Sequence, residues 1–453
     1  MLSVCLYFHV HQPLRIKRYR VFDIGSDHEY FNDASATDLN NVRVLEKVAR
    51  KSYIPANAIL LELLKKHPEF RFAFSFSGVV LDQLEKDFPE VLESFRALVQ
   101  TGRVEILADT YHHSLAFFYS RKEFERQIVL HRARIHEIFG VTPRVLRNTE
   151  LSYNNALAKW AEDAGYLGIM AEGWDAILGW RSPNFLYRPK GCSRIKVLLK
   201  NYRLSDDIAF RFSERSWSGW PLDAEKFAHW INANHGNAST INLFMDYETF
   251  GEHQWEDSGI FHFLRALPSA LLRHSDNVFR TPSETIQQEA AVGEIDVPHI
   301  LTWADTERDL SAWTGNEIQR SSLSALYALE KDVIRSGDEK IIRDWRYLQT
   351  SDHFYYMCTK WFADGDVHKY FNPYETPYDA YIAFMNALQD LSLRVRSSKR
   401  KPFLVRLCTR LWAMALSFFK GRRATLHTVD VGRPPCGAWR AEGLEEMSRA
   451  LSP

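Results

Sequence analysis

Residues 240–253 read TINLFMDYETFGEH. The first seven form an apolar run of strand length that ends on an acid, Asp246, and the next seven are polar, aromatic and turn-forming. Six further runs of this kind, at 4–9, 70–77, 104–108, 144–148, 167–171 and 195–201, are bounded by polar or turn residues and mostly lack internal Pro or Gly. Between them, segments 56–66, 81–100, 122–139, 155–164 and 224–233 carry apolar residues at three- and four-residue spacing, the period of a helix with one buried face. Alternating strands and helices predict βα units and a parallel sheet. Seven strands predict a closed or nearly closed α/β barrel over residues 1–310, with the helices as its outer ring.

Segments 174–194 and 204–220 are rich in Gly, Pro, Ser and Trp and read as long loops above the barrel. From 311 to 393 the pattern is helical, broken at Gly337, 364–366 and 373–377, and predicts a helical region packed on the barrel and completing its cleft. Residues 394–453 read as a basic tail, acid-free from 394 to 423 around the apolar stretch 403–419. Arg406 and Arg410 interrupt that stretch, so it is not a clean membrane span. It reads either as a basic amphipathic helix for weak contact with a membrane or protein surface, or as a packed helix followed by a disordered tail.

Fifty-seven basic and 57 acidic residues leave no net charge to select nucleic acid or an acidic partner, which favours a neutral ligand. Five cysteines, an odd number without a CxxC pair, suit a reducing compartment. The first residues lack the pattern of a secretory signal, so a cytoplasmic location is expected. No cofactor and no metal is expected.

In parallel barrels the reactive groups sit at the C-terminal ends of strands. Here His9 and His11 end the first strand, and Asp109, His112 and His113 follow the third. Glu150 follows the fourth, Glu172 the fifth, and Asp246 with Glu248 the seventh. Glycosidic cleavage needs one acid to protonate the leaving oxygen and one carboxylate to attack C1 or activate water. Glu150 and Asp246 can supply that pair if their surroundings push the two pKa values apart, and Arg147 is placed to hold a nearby carboxylate ionised. Direct attack predicts carboxyl groups about 5–5.5 Å apart.

Four ordered motifs resemble the signature regions of glycoside hydrolase family 57. They are His11-Gln12-Pro13, residues 102–106 (GRVEI), residues 147–155 (RNTELSYNN) and residues 246–253 (DYETFGEH). A fifth resemblance lies around Asp352 and Trp361, and residues 303–313 (WADTERDLSAW) resemble the α-amylase group within the family. The resemblance implies a (β/α)7 barrel followed by a helical region, and retaining hydrolysis of α-1,4-glucosidic bonds in starch, glycogen and maltooligosaccharides. It implies Glu150 as nucleophile and Asp246 as general acid/base. The motifs and strand ends together mark His9, His11, Gln12, Glu105, Asp109, His112, Trp174, Trp220, Tyr247, Glu248, His253, Trp303 and Asp352 as candidate substrate contacts. At least two of Trp174, Trp180, Trp217, Trp220 and Trp255 are expected to line sugar subsites. Arg103 departs from the family, where Asn is common, but it precedes its strand and leaves the catalytic pair standing.

Three other readings compete. The same scaffold can carry 4-α-glucanotransferase or branching activity. His9 and His11 point to one face of a strand, so with Asp109, His112 and His113 they can also form the ligand set of a metal-dependent deacetylase-like barrel. A non-catalytic glucan-binding protein would keep its binding when Glu150 is removed and show no turnover.

Overall fold

A computed structural model describes residues 1–360 and 367–420, with side chains to residue 398. Its strands are β1 (Leu2–Val10), β2 (Phe72–Phe76), β3 (Val104–Ile106), β4 (Val145–Leu146), β5 (Gly168–Glu172), β6 (Leu186–Pro189), β7 (Lys196–Lys200), β8 (Thr240–Asp246), β9 (Asn277–Phe279) and β10 (Ala291–Ile295). Seven of them close a ring. β8, β1, β2 and β3 pair in parallel in that order, and β4, β5 and β7 do the same. A parallel bridge from Ala108 to Leu146 joins the two arcs on one side. On the other, the Asn201 amide donates to the Asn242 carbonyl at 2.9 Å.

The seven ring strands are those legible in the sequence. β6, β9 and β10 lie beside the ring: β9 pairs with Leu2–Val4, below the stretch of β1 that meets β2, and β6 runs antiparallel to β7 with β10 on its outer side. Segments 174–194 and 204–220 are not only loops. They hold helix Asp175–Leu178 with β6, and most of helix Tyr202–Ala209.

Side chains alternate across a strand, and that period sorts the barrel into layers. Tyr7, Ala73, Leu107, Val145, Met170, Leu198 and Phe244, one from each ring strand or its continuation, meet in a buried interior cluster. Ile286, from helix Pro282–Gln288, closes that cluster. Gly168 permits its approach, because a Cβ there would sit 2.2 Å from the Ile286 side chain. The alternate residues, among them Val4, Leu6, Phe8, Phe72, Phe74 and Leu243, face outward into the cluster beneath the helices. There Phe95 contacts Tyr53, Phe74, Phe76 and Tyr247 at ring separations of 5.0–5.9 Å. The pattern at 81–100 forms two helices, Gly78–Asp87 and Pro89–Val99, because Pro89 cannot donate within a continuous helix but suits a first turn.

Helices Glu317–Ala328, Glu330–Ser336, Glu339–Tyr347 and Ser351–Tyr355 share a second core around Trp313, Trp345 and Phe354 with residues 380–395. Ile16, Tyr19, Tyr30 and Leu39 of the long segment after β1 are buried in this core. The first compact unit ends at Ser397, four residues beyond the boundary drawn at 393. The last helix among the described residues is Pro377–Lys420; Trp361, the break at 364–366 and the tail beyond 420 lie outside those residues. Among those residues no helix is long and apolar enough to cross a membrane.

Candidate active site

Two residues beyond each member of the apolar layer, the same inward face turns polar. Tyr7 leads to His9, Ala73 to Ser75, Leu107 to Asp109, Val145 to Arg147, Met170 to Glu172, Leu198 to Lys200 and Phe244 to Asp246. Strand register confirms the level: His9 pairs with both Ser75 and Asp246, and Glu172 pairs with Lys200. This layer underlies a cavity of about 610 Å³ lined by His9, His11, Gln12, His113, Glu150, Lys200, Asp246, Glu248, His253, Trp303, Asp352 and their neighbours.

Charge within the layer is paired. Arg147 and Asp109 are both fully buried and meet at 3.0 Å. Lys200 lies 3.0 Å from Asp206 and 3.7 Å from Glu172, and Arg308 approaches the same two acids at 3.8 and 3.7 Å. The Trp303 ring has Arg147 5.1 Å and Lys200 5.5 Å from its centre, within cation–π range.

Glu150 occupies a tight turn, Thr149–Leu151, with φ of +59° at Glu150 and +48° at Leu151. Non-glycine residues hold this left-handed conformation at a cost of order 1–3 kcal/mol, which surrounding contacts must offset. Here the Thr149 and Thr110 hydroxyls bond at 2.6 Å, Asn148 Nδ2 donates to Ser152 Oγ at 2.8 Å, and the Trp303 amide donates to the Glu150 carbonyl at 3.3 Å. Three groups hold the carboxylate: Ser351 Oγ donates at 2.8 Å, Trp303 Nε1 at 3.0 Å, and His113 Nε2 lies at 3.1 Å. Burial alone would raise the Glu150 pKa, but the hydrogen bond and charge of His113, with Arg147 behind, bring it below its ordinary value. The same contact raises His113 against its own burial.

Asp246 is treated differently. Among the described residues no hydrogen bond reaches its carboxylate. Burial, and then the negative charge of Glu150, outweigh Arg147 and push its pKa up to about 6. Glu248, two residues on, accepts from Tyr53 and, at 3.4 Å, from Gln12. Burial and the neighbouring Asp246 raise its pKa to about 8, so it keeps its proton at neutral pH. Asp352, 3.0 Å from His11 Nε2, lies well below its usual range because His11 overcomes its burial. Beside these acids the rings of His11 and His113 stack at 3.9 Å, and those of His9 and His113 at 5.0 Å.

Six expected contacts lie outside the cavity. Glu105 is two residues below Leu107, at the barrel floor, where it accepts from the Ser283 amide at 2.8 Å and hydroxyl at 2.5 Å. Asp109 is covered and committed to Arg147. His112 is buried with its amide on Gln127 and its ring against Tyr347. Tyr247 points outward into the core, with its hydroxyl on Asn57 at 2.6 Å. Trp174 packs against the apolar cluster around β5 and β7, and Trp220 is a surface ring with Arg215 over it. Trp180, Trp217 and Trp255 also miss the cavity: Trp217 packs on Trp230, whereas Trp180 and Trp255 are exposed.

Conversely, Lys200, Asp206, Arg308 and Ser351 join the site without having been singled out for it. Lys200 ends a strand and Ser351 adjoins Asp352, so both positions were within reach of the sequence. The bond from Ser351 to Glu150, 201 residues apart, was not. His9, Asp109 and His113, and likewise His11, His113 and Asp352, bring one ligand atom each within 4.8 Å of one another, a spacing compatible with a metal ion, but Asp109 is already held by Arg147 at 3.0 Å.

Residues 5–298 match the model of glycosyl hydrolase family 57. A Methanocaldococcus jannaschii protein named "Putative alpha-amylase" is 43% identical over 401 residues, covering 86% of this chain and 84% of that one. Among solved structures, the GH57-type branching enzyme of Pyrococcus horikoshii superposes with TM-score 0.61 at 15% identity, over 78% of this chain and 85% of its own. The 4-alpha-glucanotransferase of Thermococcus litoralis gives 0.59 at 16%, over 78% and 56%. Those two likenesses concern the fold, whereas the family model and the 43% relative concern descent. The chain belongs to glycosyl hydrolase family 57.

Proposed function

We propose that this protein hydrolyses α-1,4-glucosidic bonds of starch, glycogen and maltooligosaccharides with retention of configuration. Glu150 is the nucleophile and Asp246 the general acid/base. The observation that carries this reading is the opposite treatment of two carboxyl groups in one cavity. Glu150 is held ionised by three polar contacts, while Asp246 is left without one and keeps its proton toward neutral pH.

In the first step a Glu150 oxygen bonds to C1, the bond from C1 to the glycosidic oxygen breaks, and the Asp246 proton passes to that oxygen. In the second, water gives a proton to Asp246 as its oxygen takes C1 from Glu150. His113, Ser351 and Trp303 fix the attacking carboxylate. The catalytic unit on this reading comprises the barrel (1–310) and the helical region (311–393), since Ser351 and Asp352 of the latter complete the cleft.

The test is incubation with maltooligosaccharides, followed by chromatography of products and proton NMR of the first anomer released. α-Anomer and net chain shortening are expected. β-Anomer first would exclude Glu150 as nucleophile, and disproportionation without new reducing ends would assign transfer instead of hydrolysis. Full activity after exhaustive chelation is expected, and a metal-dependent enzyme would lose it.

A further inference from the structure

A second cavity, of about 220 Å³, adjoins the first. Gln12, Arg15, His253 and Phe371 line both, so the two are neighbours that share walls. Its other lining residues are Asp38, Val44, Lys47 and Val48, Glu252 next to His253, and Tyr370 with Asn372 and Pro373. Two of the shared residues touch Glu248 of the main cleft: Gln12 Nε2 donates to its carboxyl at 3.4 Å, and the His253 amide donates to its carbonyl at 2.9 Å. Glu150, Asp246 and Glu248 line the main cavity and not the second.

The chemistry of this groove suits a pyranose chain. Tyr370 is 63% exposed and Phe371 37%, and they meet edge to face at 4.9 Å with His253 5.5 Å from Phe371. Burial pushes the His253 pKa down to about 4, so its ring is neutral at pH 7. The Lys47–Glu252 pair, at 2.6 Å, and the Arg15 guanidinium present planar or charged groups to hydroxyls. Exposed aromatic faces flanked by such groups recognise the alternating apolar and hydroxyl faces of sugars.

We infer that this groove is an extended subsite for an α-glucan chain lying in the main cleft, with Tyr370 as a stacking platform that makes the enzyme prefer longer chains. The inference rests on the α-glucan reading above.

The experiment compares kcat/KM on maltotriose and maltoheptaose for the full-length wild type, Tyr370→Ala and Tyr370→Phe. One stacked ring lost should lower maltoheptaose kcat/KM about tenfold in Tyr370→Ala, through KM, while maltotriose changes less than twofold and Tyr370→Phe retains the wild-type preference. Equal losses on both substrates, or none, would overturn the subsite. Calorimetric binding to Glu150→Gln separates this from the catalytic reading. If no α-glucan is turned over, tighter binding of maltoheptaose than maltotriose, abolished by adding Tyr370→Ala, still supports the groove. Equal affinity for the two sugars refutes it.

Discussion

Arg147 is the residue on which both carboxyl groups depend. Fully buried and neutralised mainly by Asp109, it lowers the pKa of Glu150 and of Asp246 alike, so it does not separate them. Separation comes from His113, which bonds one and not the other. We therefore expect a bell-shaped kcat/KM profile, falling below a Glu150 pKa under its ordinary value and above an Asp246 pKa of about 6. In His113→Ala the acid limb should move up, because Glu150 keeps its burial and loses its counter-charge; stopped assays across pH 3–9 would show it. Glu150→Gln and Asp246→Asn should each retain less than about a hundredth of wild-type turnover, positioned acid/base catalysis being worth roughly 10²–10⁴. The stability of Asp246→Asn should differ from the usual loss. Because the Asp246 pKa is raised above its ordinary 3.8, its stabilising contribution is full below about pH 4 and lost as pH rises through about 6. Asp246→Asn should thus be more stable than wild type at pH 8, by roughly 1–3 kcal/mol, and no more stable at pH 4; denaturant melts at the two pH values decide it.

At the scale of elements, position along a strand separates structure from chemistry. Glu105, Leu107 and Asp109 share one inward face, yet only the far end of that row reaches the cleft level. Glu105→Ala should cost about 1.5–3 kcal/mol, leaving two Ser283 donors unpaired, with KM and kcat unchanged. A change in KM would put Glu105 in contact with substrate after all. The seven ring strands were legible because each is an apolar run ended by a polar residue at its C-terminus. β9 and β10 were not: Asn277–Phe279 is three residues long, and Ala291–Ile295 is mostly solvent-facing and contains Gly293. The strand-end acids were legible for the same reason as the strands. The contact residues were less so, since Tyr247 and Glu248 are neighbours that turn to opposite sides, one into the core and one into the cavity. A tryptophan in a Gly-rich segment carries no sign of whether it faces sugar, solvent or another ring.

For the whole molecule, the compact unit ending at Ser397 contains the cavity, its lining and both cores. A chain truncated after Ser397 should fold and keep wild-type kcat/KM on maltoheptaose; loss of more than about half would give the basic segment a part in the unit's stability or activity. Ser351 also sets a schedule. The turn that carries Glu150 leaves the ribosome with the fourth ring strand, but the hydroxyl that bonds its carboxylate is encoded 201 residues later. At about 5–20 residues per second that is an interval of roughly 10–40 s. Throughout it the strained turn at Glu150 lacks one of its three partners, and for most of it Trp303 is missing as well. A nascent chain with a nearly complete barrel therefore carries both carboxyl groups and no finished site, so activity on ribosome-stalled chains should rise only after residue 351 has cleared the exit tunnel.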